Sequence, residues 1–201
     1  AADARISLIE GNKGLYDGLD LDGSNSNAAL AKLLGAPVVL VIDARGMTRG
    51  VAPLILGYQA FDRDIHIAGV ILNNLGGSRH ESKLRAVIEH YTDVEVIGAV
   101  QHDTRMQIAE RHLGLVPANE QGAAFSRIQF VGERVAEQVN LERLLAIADS
   151  AADLDIALPS QAAMPTGRVR IGIAHDQAFG FYYSEDLDTL RAANVELVEL
   201  D

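Results

Sequence analysis

Residues 6–18 of the chain read ISLIEGNKGLYDG, a short apolar run followed by a glycine-rich turn. The apolar character of residues 5–9 predicts a buried strand that stops at Glu10 and Gly11. Ligands of open α/β sheets bind at the carboxyl ends of the strands, so we expect Glu10 at a ligand-binding edge. Asp17 follows in the turn, and two carboxylates favour a hard cation such as Mg²⁺. The alternative, in which both acids serve only as turn residues, stays open.

The segments that follow repeat a strand–loop–helix pattern. A polar loop with N-cap candidates at residues 24–27 leads into the predicted helix AALAKLL, which Gly35 closes. The apolar run at residues 38–42 then predicts a strand that again ends in an acid, Asp43. Further elements are predicted as a helix within 47–60, a strand at 65–72 ending at Asn73–Asn74, a helix at 81–91 and a strand at 94–100. Apolar strands that alternate with helices predict an α/β fold with a mostly parallel sheet.

The remaining chain contains a change of composition. Residues 101–122 show no regular period, whereas residues 123–152 predict one long helix or a pair with a break near Asn140. The proline-containing stretch LDIALPSQAAMPTG predicts a linker, and a strand, a helix capped by Ser184 and a second strand follow it. The predicted first domain, linker and beginning of a second domain are therefore residues 1–153, 154–167 and 168–201.

The composition argues against several classes of function. The 201 residues contain no cysteine, which excludes disulfides, thiolate metal sites and a cysteine nucleophile within them. The net charge of −11 argues against a nucleic-acid partner, which requires clustered Lys and Arg. Without a long apolar run or a signal-like N-terminus, we expect a cytoplasmic protein with no membrane partner. Neither a Walker phosphate loop nor GxGxxG occurs, so a nucleotide site would need phosphate-binding residues from upstream of Ala1.

Five segments resemble the cobyrinic acid a,c-diamide synthase family, which comprises glutamine-hydrolysing tetrapyrrole a,c-diamide synthases and includes sirohaem-amidating paralogues. They occur in the family's order and are EGNKGLYDG, PVVLVIDARGMTRG, GVILNNLGGSRH, ERHLGL and RIGIAHDQAFGFYY. The resemblance implies a dethiobiotin-synthetase-like P-loop domain that lacks its N-terminal P-loop, followed by the start of a class I glutamine amidotransferase α/β domain. It also implies that these residues are an excerpt of an ATP-dependent carbon–nitrogen ligase and are inactive alone.

The resemblance further implies the reaction and its partners. The family uses ATP, Mg²⁺ and glutamine, the ammonia donor, to amidate the a and c side chains of a tetrapyrrole such as cobyrinic acid or sirohaem through an acyl phosphate. The implied partners are a tetrapyrrole polycarboxylate and the glutamine amidotransferase domain of the same chain, and the oligomeric state, including a homodimer, stays open. The polar Asn12–Lys13 pair departs from the family pattern and leaves the identity of the tetrapyrrole open.

Residue roles follow from the same resemblance. Glu10 corresponds to the glutamate that binds Mg²⁺ at the ATP phosphates, Asp17 to a catalytic acid near the substrate carboxylate, and Asn73 to the asparagine that reads the adenine edge. A cap or turn role stays open for Asn73. Asp43 is a candidate cofactor-binding residue that supports the metal indirectly, although an aspartate that starts a turn is the commoner explanation.

Positive charge is needed to hold a polycarboxylate, and arginine suits carboxylates because of its planar fork of donors. The candidate substrate-binding residues, expected in loops that follow strands, are Lys13, Tyr16, Arg45, Arg49, Arg79 and His80. Each charged residue taken alone is more commonly a solvated surface charge, and their shared edge is the reason to keep them as candidates. The resemblance gives Arg111 and His112 no role that we can derive, and the aromatic residues of segment 176–183 are expected in a core or interface.

Two other classes of protein stay open. One is a nucleotide-dependent switch related to partitioning ATPases, although a switch gives no reason for a second strand–helix–strand unit after the linker. The other is a catalytically silent binding module, which the retention of Glu10, Asp17 and Asn73 argues against.

Overall fold

The computed structural model describes residues 5–107, 110–111, 114–115, 123–154, 169–176, 179 and 182–200. The chain divides into two compact units, Ala1–Arg105 with Val131–Asp155 and Met106–Phe130 with Ile156–Asp201. None of the helices in the described ranges combines the length and the apolar character that a membrane crossing requires.

A three-stranded parallel sheet forms the centre of the first unit. Its strands lie in the order β1–β2–β3, with bounds Val38–Asp43, Ile67–Leu75 and Val96–Gln101. The predicted α/β fold with parallel strands is therefore confirmed, and it agrees with the mainly apolar sequence of each strand.

Five helices accompany this sheet in the chain order. They are α1 (Asn27–Leu34), α2 (Val51–Phe61), α3 (Ser78–Tyr91), α4 (Ala123–Ala136) and α5 (Leu141–Asp149). The hydroxyl of Ser26 accepts a hydrogen bond from the Ala29 amide at 3.1 Å and caps the start of α1. Gly35, at φ 57°, ends this helix in a left-handed conformation that glycine adopts without penalty. Both predicted ends of α1 are confirmed.

The core of the first unit lies where α2 and α3 meet the sheet. Buried side chains of the two helices and of β2 belong to one apolar cluster, which includes Val51, Ile55, Val70, Leu72, Leu84 and Ile88. Leu84 and Ile88 lie four residues apart on one face of α3, as the helical period predicted. Burial of each large aliphatic side chain stabilises the fold by about 1.5–3 kcal/mol.

The outer edge of β3 is covered by residues 138–140. The Asn140 amide donates to the Ile97 carbonyl at 2.8 Å, and Gly98 leaves room for this close approach. The Asn140 side chain then accepts from the Arg143 amide at 2.9 Å and caps α5. The predicted pair of helices with a break near Asn140 is thus confirmed.

The predicted strand at residues 5–9 is wrong. These residues form no ladder with any strand among the described residues, and Leu8 and Ile9 are 84% and 56% exposed. An apolar run becomes a strand only when its backbone groups find a partner. Here β1 pairs with β2, and none of the described strands pairs with residues 5–9.

Three further boundaries differ from the sequence prediction. Strand β2 continues to Leu75, so Asn73 and Asn74 lie inside it and not after it. Helix α3 begins at Ser78. Arg79 and His80, which were predicted in a loop, therefore lie in its first turn. Ser184 is the first residue of its helix and not the N-cap.

The described part of the second unit contains two small sheets. One is parallel, with strands β6 (Val169–Ala174) and β7 (Val195–Leu200) joined through helix α6 (Ser184–Ala192), and the other is an antiparallel pair, β4 (Glu110–Arg111) and β5 (Gly114–Leu115). The predicted strand–helix–strand order is confirmed. Of the predicted linker, only Leu154 is among the described residues. His112 also lies outside them. The Tyr182 hydroxyl donates to the Ala174 carbonyl at 2.6 Å, which gives this aromatic residue a structural contact.

Candidate functional site

The carboxyl ends of β1, β2 and β3 bring polar side chains together at one edge of the sheet. Asp43, the last residue of β1, is the register partner of Asn73 in β2. Gln101 ends β3, with Leu75 as its partner in β2. Such an edge is where open parallel sheets bind ligands.

Asp43 is held by Arg45, two residues further along the chain. The Arg45 Nε lies 3.0 Å and 2.9 Å from the two carboxylate oxygens, and its backbone amide donates to Oδ1 at 3.1 Å. These side-chain and backbone hydrogen bonds lower the pKa of Asp43 from 3.8 to about 2. The geometry is that of an aspartate that starts a turn, and both of its oxygens are already engaged by Arg45.

The same arrangement occurs after β3, where the sequence prediction named no residue. The Arg105 Nε lies 2.9 Å from Oδ1 of Asp103, and its backbone amide donates to the same oxygen at 2.9 Å. The pKa of Asp103 is again lowered to about 2, first by the side-chain and then by the backbone hydrogen bond from Arg105. A signal was present in the sequence, since DAR at 43–45 and DTR at 103–105 both follow apolar strands.

Asn73 and Asn74 form a β-bulge near the end of β2. Leu72 pairs with Ala99 and Leu75 with Gln101, so the two asparagines oppose a single residue of β3. Asn74 has φ 59°, a left-handed conformation that is uncommon for residues other than glycine.

The bulge directs the Asn74 side chain toward the ends of the neighbouring strands. Its Oδ1 lies 3.3 Å from Nδ1 of His102, and its side chain also contributes to the low pKa of Asp43. The Oδ1 of Asn73 accepts from the Asn74 amide at 2.9 Å. The sequence prediction did not identify Asn74 or His102, because the left-handed backbone follows from strand register and not from a local motif.

His80 lies in the first turn of α3 and is engaged at both ring nitrogens. Its Nε2 lies 2.7 Å from the Met47 carbonyl oxygen, and its Nδ1 accepts from the Gly76 amide at 3.2 Å. Because a carbonyl only accepts and an amide N–H only donates, these contacts define the neutral Nε2–H tautomer.

The two remaining arginines of the prediction lie apart from each other. The Arg49 guanidinium carbon is 5.2 Å from the ring centroid of Tyr91, the last residue of α3. Since α3 leads away from the carboxyl end of β2, this contact directs Arg49 away from the strand-end edge. Arg79 is exposed in the first turn of α3, close to that edge in sequence and structure.

Glu10 borders a separate cleft beside α1 that has both polar and apolar lining residues. The cleft has a volume of about 510 Å³ and is lined by Glu10, Asn12, Ser24, Asn25, Ser26, Asn27, Ala29, Leu30 and Leu33. The glycine turn that carries Glu10 is anchored to the start of α1, because the Ala28 amide donates to the Leu15 carbonyl at 2.8 Å. The Asn27 Nδ2 donates to the Lys13 carbonyl at 3.1 Å.

The other predicted residues of this turn differ in exposure. Asp17 and Lys13 are exposed, and the Asp17 amide donates to the Gly14 carbonyl at 3.1 Å, which fixes the turn. Tyr16 is half-buried, and its hydroxyl donates to the Tyr58 carbonyl at 2.6 Å. Burial raises the pKa of Tyr16, with smaller contributions from nearby acidic groups. Donation from the Tyr16 hydroxyl to a substrate carboxylate would require its hydrogen bond to the Tyr58 carbonyl to break.

The donor set near Glu10 suits a Mg²⁺ ion that is shared with a phosphate ligand. No cluster of three or more His, Cys, Asp or Glu side chains occurs among the described residues, so they offer no cage built from such side chains alone. Mg²⁺ commonly takes one or two carboxylates and completes its shell with water and phosphate oxygens. Exposed Glu10 supplies one carboxylate, and the side-chain oxygens of Asn25 and Ser26 in the cleft already accept from the Leu19 and Ala29 amides, so water and phosphate oxygens would complete the shell.

Comparison with known proteins supports the interpretation of the first unit as a nucleotide-binding domain. A family model described as "AAA domain" matches residues 1–109, more than half of the chain. No solved structure matches the chain at a significant level.

Curated relatives match nearly the whole chain. Proteins named cobyrinate a,c-diamide synthase are 46% identical in Magnetococcus marinus over 98% of this chain, 46% identical in Methanosarcina acetivorans over 97%, and 39% identical in Listeria monocytogenes serotype 4b over 97%. The chain spans 44%, 41% and 43% of the length of these relatives. The resemblance predicted from the sequence is confirmed. The chain therefore belongs to the family that the AAA-domain model describes, and it is similar along nearly its whole length to cobyrinate a,c-diamide synthases.

Proposed function

We propose that the protein to which this chain belongs is an ATP-dependent ligase that uses glutamine to amidate the a and c carboxylates of a tetrapyrrole such as cobyrinic acid or sirohaem. The observation that carries the proposal is the 46% identity to proteins named cobyrinate a,c-diamide synthase over 97–98% of the chain. The polar edge of a parallel sheet in an AAA-type domain agrees with the nucleotide requirement.

The chemistry of amide formation explains the need for ATP. A carboxylate oxygen attacks the γ-phosphorus of ATP, which releases ADP and leaves an acyl phosphate. Ammonia from glutamine hydrolysis then attacks the acyl carbon, and phosphate departs with the former carboxylate oxygen. Each amide consumes one ATP, one glutamine and one water, and it yields ADP, phosphate and glutamate.

Glu10 and Asp17 are the acids proposed for this chemistry. Glu10 would hold Mg²⁺, which neutralises phosphate charge when bound. Asp17 would orient the substrate carboxylate or the incoming ammonia from the turn that the Gly14 carbonyl fixes. Since two anions repel, Asp17 acts on ammonia or through a bound cation and not by direct pairing with the carboxylate.

The nucleotide and the acid substrate would meet residues at the strand ends. Asn73 would read the adenine edge, because an amide offers a donor and an acceptor side by side. Arg45, Arg79 and Lys13 are exposed cations suited to substrate carboxylates. Asp43 would then act only through Arg45, whose guanidinium it fixes.

The domain organisation of the proposal follows the sequence prediction. Residues 1–153 would belong to the dethiobiotin-synthetase-like domain, 154–167 to a linker and 168–201 to a class I glutamine amidotransferase domain. The coverage of 41–44% of each relative agrees with an excerpt of a longer protein. The phosphate-binding loop and the glutaminase residues would then lie outside this sequence.

The proposal is tested with the full-length protein, ATP, Mg²⁺ and glutamine. Cobyrinic acid, sirohaem and nickel sirohydrochlorin are offered separately, and each product is analysed by mass spectrometry. Conversion of one acid to its mono- or diamide supports the proposal and identifies the substrate. If ATP binds and none of the acids is amidated, the ligase proposal is wrong and a nucleotide-dependent switch becomes the better interpretation.

The role of Glu10 has a sharper test. Glu10→Gln removes the charge and keeps the shape, and we expect ATP-dependent amidation to fall on the order of 10²-fold or more. Glutaminase activity should persist, since it belongs to the other domain. Glu89→Gln, at an exposed position of α3, is the matched control and should leave both activities unchanged. Equal loss of both activities in Glu10→Gln would refute a local role for Glu10.

A further inference from the structure

The imidazole of His80 connects two loops at the strand-end edge. One loop, residues 44–50, joins β1 to α2 and contributes the Met47 carbonyl, 2.7 Å from Nε2. The other is the turn between β2 and α3, which contributes the Gly76 amide, 3.2 Å from Nδ1. We call these two contacts the His80 bridge. Both partners are backbone groups, so the bridge fixes the course of the chain and not only the orientation of a side chain.

Arg45 lies in the loop that the bridge holds. The loop is attached to β2 at its start, where the Ala44 amide donates to the Asn73 carbonyl at 2.8 Å. Two residues after Arg45, Met47 is attached through its carbonyl to His80. The backbone that carries Arg45 is therefore anchored on both sides, and the second anchor is the imidazole.

The turn on the other side of the bridge is itself fixed. The Gly77 amide donates to Oε1 of Gln101 at 2.9 Å, and Nε2 of Gln101 donates to the Glu81 carboxylate at 3.0 Å. The bridge therefore ties the loop after β1 to a turn that is already attached to β3 and α3. The Gly76 and Gly77 amides at the start of α3 are already engaged by side chains and are not available to bind an anion.

We propose that His80 is a positioning residue that, through the His80 bridge, sets the position of Arg45 for an anionic substrate, and that it does not itself contact the substrate. The inference rests on the proposed function for the identity of the substrate, a tetrapyrrole polycarboxylate. It replaces the sequence-based interpretation of His80 as a substrate-binding cation, because the neutral imidazole has no N–H left to donate and no lone pair left to accept.

Two isosteric substitutions separate the two contacts of the bridge. In His80→Asn the side-chain oxygen takes the place of Nδ1 and retains the acceptor for Gly76. In His80→Gln the amide nitrogen takes the place of Nε2 and retains the donor to Met47. Lys83→Ala, at an exposed position of the same helix, is the matched control.

The first measurement does not depend on activity. Amide hydrogen exchange in the full-length protein should show faster exchange at Gly76 in His80→Gln and unchanged exchange there in His80→Asn and Lys83→Ala. A long-range ¹⁵N–¹H correlation spectrum of the imidazole should show the Nε2–H tautomer. Unchanged Gly76 exchange in His80→Gln, or an Nδ1–H tautomer, would refute the bridge whether or not the protein amidates any acid.

The second measurement tests the positioning role. Its substrate is whichever of the three tetrapyrrole acids named above the full-length protein amidates. His80→Gln retains the Met47 contact and should change KM less than His80→Asn, which should raise KM about five- to tenfold with kcat nearly unchanged. His80→Asn should add no further increase in an Arg45→Ala background, because the two residues act on the same contact. Independent, additive increases would mean that His80 contacts the substrate itself, and the positioning role would be overturned. If no acid is amidated, calorimetric titration with cobyrinic acid gives the same comparison through Kd, and absence of binding to the unmodified protein counts against the inference.

Discussion

The left-handed backbone of Asn74 permits a quantitative prediction. Its φ of 59° lies in a region where a residue with a Cβ is less stable by roughly 1–2 kcal/mol, a penalty that glycine does not have. Glycine in turn destabilises through unfolded-chain entropy, by about 0.4–1 kcal/mol relative to alanine. The midpoints, about 1.5 and about 0.7 kcal/mol, leave Asn74→Gly more stable than Asn74→Ala by about 0.8 kcal/mol. The lost contact to His102 is common to both variants and cancels.

Asn73 supplies the matched control. It precedes Asn74 in the same bulge, and its φ is not positive. There the order should reverse, with Asn73→Ala more stable than Asn73→Gly by about 0.5–1 kcal/mol. Native-state hydrogen exchange of β2 and β3 amides measures the unfolding free energy of this sheet alone. If the alanine variant is at least as stable as the glycine variant at both positions, the left-handed conformation of Asn74 is refuted.

Two further predictions concern packing and pH. A Cβ at Gly98 would lie 2.8 Å from the Val139 Cγ2, so Gly98→Ala should destabilise the first unit by about 1–3 kcal/mol. Gly57→Ala, in the open interior of α2, should instead stabilise it by about 0.5–1 kcal/mol, and hydrogen exchange compares the two variants. The pKa values of Asp43 and Asp103 are lowered from 3.8 to about 2 in the folded protein. Each aspartate therefore stabilises the folded state fully at a pH above 3.8, and this contribution is lost as the pH falls toward 2. Asp43→Asn and Asp103→Asn should therefore flatten the acid decline of stability in this window, and an unchanged decline would refute the arginine contacts as its cause.

The parallel sheet could be predicted from sequence because its three strands carry their own evidence. Each contains a run of apolar residues, and helices α2 and α3 connect β1 to β2 and β2 to β3, which favours parallel pairing. The predicted end of β2 was less accurate, because Asn73 and Asn74 have low strand propensity, whereas in the structure Asn73 pairs with Asp43 of β1 and Leu75 pairs with Gln101 of β3.

The candidate site was predictable in its location and not in its geometry. Asp43 ends β1 as predicted, and its register partner Asn73 lies near the end of β2 and not after it. The role of His80 was not accessible, because its two partners, Met47 and Gly76, are backbone groups 33 and four residues away. A sequence pattern gives residue types, whereas a backbone contact depends on how two loops meet.

The proposed role of Glu10 does not require the strand that was wrongly predicted at residues 5–9. The sequence predicts Glu10 at a strand end, whereas in the structure Glu10 lies beside a cleft next to α1 and follows none of the described strands. What fixes this region is the glycine turn: a Cβ at Gly11 would lie 2.8 Å from Nδ2 of Asn27, the first residue of α1. An alanine at position 11 would therefore meet the end of the flexible Asn27 side chain, which would have to shift. The turn that carries Glu10 is attached to α1 through the hydrogen bond from the Ala28 amide to the Leu15 carbonyl, and the proposed role of Glu10 therefore depends on the turn and on α1, and not on a fourth strand.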